Sequence, residues 1–169
     1  MTTVEDKPEL ASAPRAILIQ DFADVALPLR AIRGRFLDTA DWLAPLASAA
    51  QDEGESVILR VGPAWAPEGV TREVRVSLGL VHFRNEALVI PLSWESVGLR
   101  SLFPVLDGQV EVAPLGDDSS RLTFSGSYTP PGGGLGARLD RALLHRVATS
   151  TVRSFLNNVA ASLQVRSET

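Results

Sequence analysis

A chain of 169 residues with 45% hydrophobic residues is long enough for one domain with a sizeable core. Its net charge of −4 lacks the basic footprint of a dedicated nucleic-acid binder, so no nucleic-acid partner is expected. There is no Cys, which excludes disulfides and thiolate chemistry, and no run reaches the roughly 18 apolar residues of a membrane span.

The opening MTTVEDKPELASAP is acidic and polar, with neither a basic flank nor an apolar stretch. Residues 1–14 therefore read as a flexible tail rather than a signal peptide, and a cytoplasmic location is the default expectation. A first strand is predicted in RAILIQDFADVAL, with Ile17, Leu18 and Ile19 as its apolar centre. Leu29, Ile32, Phe36 and Leu37 then recur at helical spacing. Asp38 or Thr39 can cap a second helix holding Trp42, Leu43, Leu46 and Ala47, which Pro45 shortens or distorts. Two short helices are thus predicted, over roughly 28–37 and 40–51.

From Ser56 the period changes to two. SVILRV is a short strand, and GPAWAPEG is a Pro/Gly-rich loop carrying Trp65. In TREVRVSLGLVH, Val74, Val76, Leu78, Leu80 and His82 share one face, with Glu73, Arg75 and Ser77 on the other. Such alternation marks a sheet with one face buried and one wet. FRNE is a turn, and ALVIPLSWES sets Leu88, Ile90, Leu92 and Trp94 opposite Val89, Pro91, Ser93 and Glu95. SLFPVLDGQVEVAPL is another strand region, in which Asp107-Gly108 marks a hairpin or a bulge. After the turn GDDSS, RLTFSGSYT puts Leu122, Phe124, Gly126 and Tyr128 on one face.

The chain closes with an amphipathic helix predicted over about 134–163, long enough at 1.5 Å per residue to span about 45 Å. One ridge carries Leu143, Val147, Thr151, Phe155 and Val159; the next carries Leu144, Ala148, Val152 and Leu156. Arg146, Arg153, Ser154, Asn157 and Gln164 lie opposite, facing solvent, so removing Arg153 is expected to cost under about 0.5 kcal/mol. The glycines 132–134 supply the free backbone needed to turn from the last strand into this helix. One curved antiparallel sheet gripping one helix is the economical packing of these elements.

This order, together with LFPVLDGQVEVAPL, RLTFSGSYTPPGGGLGARLDRALLHRVA and TVRSFLNNVA, resembles the START-like superfamily. That helix-grip group includes polyketide cyclases, Bet v 1 and lipid-transport proteins. The likeness covers about residues 15–163 of a single domain over 15–166. Its most specific element is a strand ending G-x-Y-x-P-P, a glycine hinge and an L-D-R helix, met here by Gly126, Tyr128, Pro130, Pro131, Leu139, Asp140 and Arg141. This element is associated with actinobacterial members of unassigned activity. The resemblance implies an α+β fold: a curved antiparallel sheet of six to seven strands around a long C-terminal helix, with two short helices after the first strand. Six strands are counted in the sequence, so a bulge near Asp107-Gly108 or a split first strand would supply a seventh. The resemblance also implies a hydrophobic cavity between sheet and helix, used for lipids, steroids or polyketides and occasionally for catalysis. It carries over no catalytic residue.

Strand parity and helical angle then name the candidate walls of such a cavity: Leu78, Ile90, Trp94, Phe124, Tyr128, Leu143, Val147 and Phe155. The small or bent positions Gly79, Gly126 and Ala148 are expected to leave part of it unfilled. Polar groups able to orient a ligand are the Tyr128 hydroxyl, the Trp94 indole N–H and the two histidines. His82 is either half-exposed beside a hairpin or a polar group at the cavity rim; His145 either bounds the helix's apolar stripe or faces ligand. Other motifs are weak. The glycine run Gly132 to Gly136 spells neither G-x-G-x-x-G nor a P-loop, there is no G-x-S-x-G, and two scattered histidines do not make a metal site. Arg138, Arg141 and Arg146 diverge around the helix as a solvated face. No cofactor or metal is expected, and the chain is expected to be a monomer or homodimer. The leading expectation is a binder or carrier of a hydrophobic small molecule. The alternatives are an aromatase/cyclase-type enzyme using His145, Tyr128 or Glu95, against which the outward parity of Glu95 counts, and a partner-binding module.

Overall fold

The computed structural model describes residues 16–37, 47–49, 56–61, 72–97, 105–129 and 141–165. The predicted tail, the Trp65 loop and the glycine hinge lie outside the described residues. Strand β1 (Ile17–Val25) leads into helix α1 (Leu29–Leu37), the first of the two predicted helices. The second is corrected where it is described: Ala47–Ala49 forms strand β2, not helix, and pairs antiparallel with β3 (Ser56–Val61). Pro45 just before that segment works against a continuous helix there, and the edge of β3 offered its backbone partners, which outweighs the helical preference of its alanines.

The remaining strands are β4 (Arg72–Leu78), β5 (His82–Arg84), β6 (Ala87–Ser96), β7 (Val105–Pro114) and β8 (Ser120–Thr129). All pairings are antiparallel, in the order β1-β8-β7-β6-β4-β3-β2, with β5 also on β6. β4 and β5 act as one bent strand along β6. Gly79 N–H still bonds the Pro91 carbonyl at 2.8 Å across the interruption. Counted so, the described residues form seven strands, within the six to seven the resemblance implies, and the seventh comes from the edge rather than from Asp107-Gly108. That dipeptide is neither hairpin nor bulge: β7 passes through it in unbroken register with β8. The expected turns do form. Asn85 takes the left-handed conformation (φ 55°) after β5, and Gly116 (φ 77°) lies in the β7–β8 connection.

Helix α2 (Arg141–Val165) lies chiefly against β1, and also touches β8 and β3. Contact with strands at both ends of the sheet order means that the sheet curls around the helix. Buried residues alternate along β1 and β8 and recur at Val152, Phe155, Leu156, Val159 and Leu163 on α2. Two of the apolar strand positions read from the sequence are exposed. Leu18 is 80% exposed because the inward parity of β1 runs Ile17, Ile19, Asp21, Ala23; Leu80 is 83% exposed because it sits in the break between β4 and β5. The N-terminal end of α1 docks through Ser120, whose hydroxyl donates to the Leu27 carbonyl at 2.8 Å. From its last turn Arg35 reaches the Leu163 carbonyl near the C-terminus of α2, where a cation meets both an orphan carbonyl and the helix dipole.

The outer face of the sheet is wet and charged. Arg60 and Glu73, Arg75 and Glu95, and Asp24 and Arg121 stand directly opposite each other on neighbouring strands and pair at 3.8, 3.5 and 2.7 Å. Exposed pairs of this kind contribute little singly, but like charges in those places would repel. Among the described residues no helix is long and apolar enough to cross a membrane.

Candidate functional site

The inner face is laid out in cross-strand rows. One row runs Val76, Trp94, Leu106, Tyr128, Ile17; the next Leu78, Leu92, Gly108, Gly126, Ile19; the third Ile90, Val110, Phe124, Asp21. The glycine pair in the middle row explains the aromatic packing above it. A Cβ on Gly108 would come within 2.8 Å of the Phe124 ring tip and one on Gly126 within 2.7 Å. The neighbouring backbone is nearer still, with Ser125 O at 2.6 Å and Asp107 O at 2.5 Å. With no side chains there, the Phe124 ring leans across the row. It lies parallel to Trp94, centroids 6.3 Å apart and planes 7° apart. From above, Phe155 of α2 meets Trp94 edge-on, at 5.8 Å and 84°. The expectation that Gly126 leaves space unfilled is therefore corrected: the space is taken by Phe124. Gly79 lies outside this face, against Pro91.

The predicted wall residues Leu78, Ile90, Trp94, Phe124 and Tyr128 are all buried on this inner face and Phe155 is buried on α2, while Val147 is half-buried and Ala148 packs partly against the core. The side chain of Leu143 lies outside the described residues. His145 is exposed, at the boundary of the stripe rather than within it. His82 is exposed too, its Nδ1 3.3 Å from the Leu80 carbonyl. Glu95 points outward to Arg75, on the face of β6 opposite Trp94.

Sequence reasoning missed a polar connection beside this wall. Asp21 is 8% exposed, in the inward row opposite Phe124. Arg153 Nε donates to its Oδ2 at 2.9 Å, and the Phe22 N–H donates to its Oδ1 at 2.9 Å. Arg153 is thus not a bare solvent residue: its tip ties α2 to β1. The signal was legible, since Asp21 shares the parity of Ile17, Ile19 and Ala23. A buried carboxylate with that parity needs a cation. Thr149 and Thr151 add two buried hydroxyl oxygens without hydrogen-bond partners.

The outward face carries a groove of about 770 Å³ behind the glycine pair, bordered by Leu18, Gln20, Asp107, Gln109, Ser125 and Ser127. At the far end of β1 and β8, the Arg121 guanidinium donates to Asp24 and holds that carboxyl below its ordinary 3.8. Among the described residues no three His, Asp or Glu side chains gather as metal ligands.

No family model and no curated protein matches the chain. Solved structures do. The Zhui aromatase/cyclase from a Streptomyces species is 14% identical with a TM-score of 0.61, over 90% of this chain and 96% of that one. Norcoclaurine synthase from Thalictrum flavum, in complex with dopamine and hydroxybenzaldehyde, is 14% identical with a TM-score of 0.56, over 95% of each chain. Ara h 8.0201 is 9% identical with a TM-score of 0.54, over 89% of this chain and 99% of that one. At these identities the likeness defines the class by fold: the chain has the START-like helix-grip fold, as its sequence implied.

Proposed function

We propose that this chain binds a hydrophobic small molecule, lipid-like or polyketide-like, between the inner face of its sheet and α2. The observation that carries this reading is the Trp94–Phe124–Phe155 wall, whose helical member Phe155 follows, one to two turns on, a segment of α2 that is only half-buried at Val147, Ala148 and Ser150. Apolar walls with few polar groups suit a ligand held mainly by area and oriented by one or two hydrogen bonds. The likeness to a synthase in complex with two small aromatic compounds supports such a use of the fold. Aromatase/cyclase chemistry is the second reading, favoured by the likeness to the Streptomyces enzyme. Its candidate residues give it less support: Tyr128 and Glu95 lie on opposite faces of the sheet, and His145 is exposed.

Val147→Trp tests the binding reading, because it enlarges a half-buried position in the same helical row as Phe155. Titration with a fluorescent naphthalene probe or fatty acid should show wild-type binding that weakens at least tenfold in the variant, while the thermal melt shifts little. Absence of probe binding by wild type, together with native mass spectrometry showing an empty chain bound to a protein partner, would favour the interaction-module reading instead.

A further inference from the structure

Thr151 stands on α2 one turn after Val147 and one turn before Phe155, in the same row of side chains. It is 4% exposed, and its Oγ1 has no hydrogen-bond partner. A buried hydroxyl left unsatisfied costs stability, so native structures rarely keep one without a reason. Helical threonines commonly escape by bonding the carbonyl one turn earlier, here that of Val147. Thr151 does not. Its row neighbours are apolar, and the next side chain along, Phe155, rests edge-on upon Trp94. The hydroxyl therefore lies one turn before the helical member of the aromatic wall, where α2 passes from half-buried to buried. Thr149 is no substitute. Two residues earlier on the helix, it points roughly 200° away, on the flank of Arg153.

We infer that the Thr151 hydroxyl is the polar anchor that selects an apolar ligand bearing a carbonyl or phenolic oxygen over a hydrocarbon of the same shape. The inference rests on the binding face proposed above. The hydroxyl can donate to a carbonyl or accept from a phenol, and its apolar neighbours Val147 and Phe155 offer neither. A site holding an unsatisfied buried hydrogen-bonding group rejects the analogue that lacks the matching atom. One such bond corresponds to roughly a two- to tenfold preference.

The test uses two probes of one shape, 2-naphthol and 2-methylnaphthalene, titrated into wild type and Thr151→Val by quenching of tryptophan fluorescence. Both chains are also melted without probe. Wild type should prefer the naphthol, and Thr151→Val should abolish that preference by losing naphthol affinity while keeping that for the hydrocarbon. The variant without probe should melt no lower than wild type, because a methyl replaces an unsatisfied hydroxyl. An unchanged preference in the variant overturns the anchor but leaves the binding face standing. A lowered melting temperature also overturns it, since the hydroxyl would then be bonded within the protein. Binding of neither probe by wild type removes the binding face, and the anchor with it.

Discussion

The two halves of α2 differ although one amphipathic pattern runs through both. From Thr151 onward, Val152, Phe155, Leu156, Val159 and Leu163 are buried, Arg153 is tied to Asp21, and Arg35 reaches the final turns. From His145 to Ser150 no described side chain is fully buried, and Val147 and Ala148 are half-covered. The same apolar spacing has been spent in two ways. The later half anchors the helix and supplies Phe155 to the aromatic wall, whereas the earlier half keeps apolar surface partly uncovered. That difference separates stability from the proposed function along a single helix, so substitutions in the two halves should behave differently.

The largest expected effect is in the anchored half. Phe155→Ala should destabilise by roughly 3–5 kcal/mol, since it leaves a cavity beside Trp94, whereas Val147→Ala should cost under about 1 kcal/mol. Denaturant melts giving equal losses for the two would erase the distinction. Next comes the floor of the wall. Gly126→Ala should cost roughly 1–3 kcal/mol, because its methyl meets the Asp107 carbonyl and the Phe124 ring and neither can withdraw far. The near-ultraviolet circular dichroism of Trp94 should change with it; a variant as stable as wild type with an unchanged aromatic signal would show that Phe124 does not depend on the glycine pair.

The Arg153–Asp21 connection is expected to contribute less, since the Arg153 side chain is 63% exposed while that of Asp21 is 8%. Arg153→Ala should cost about 1–2 kcal/mol by leaving the carboxylate without its cation, and the loss should shrink when Asp21→Asn is already present. Additive losses in that double-mutant cycle would mean that the pair is not coupled. This revises the solvent-face expectation of under about 0.5 kcal/mol. The smallest effect lies on the outer face of the sheet. Arg121 lowers the Asp24 carboxyl below 3.8, so the pair's contribution is complete above that pH and is lost as pH falls through the lowered folded value. Arg121→Gln should therefore lose stability less steeply than wild type below pH 3.8, and probe binding at neutral pH should be unchanged; an identical acid profile would mean that the pair adds nothing.

Local pattern alone determined much of this protein. Period-two alternation in TREVRVSL, ALVIPLSWES and RLTFSGSYT placed Val76, Trp94, Phe124 and Tyr128 on one face, and period 3.6 placed Phe155 and Val159 toward them. These readings hold because burial of one face dominates both elements, and the period reveals which face. Other features were decided only by residues far apart in the chain. Ala47–Ala49 became a strand because β3 offered it an edge. Asp107-Gly108 has the composition of a turn, yet it continues a strand because Gly126 stands opposite and the Phe124 ring fills the space above both. Arg153 has the spacing of a solvent residue, but Asp21, 132 positions earlier, brings it to the seam. In each case the sequence holds the residues, but their meaning depends on a partner that only the curled sheet brings within reach.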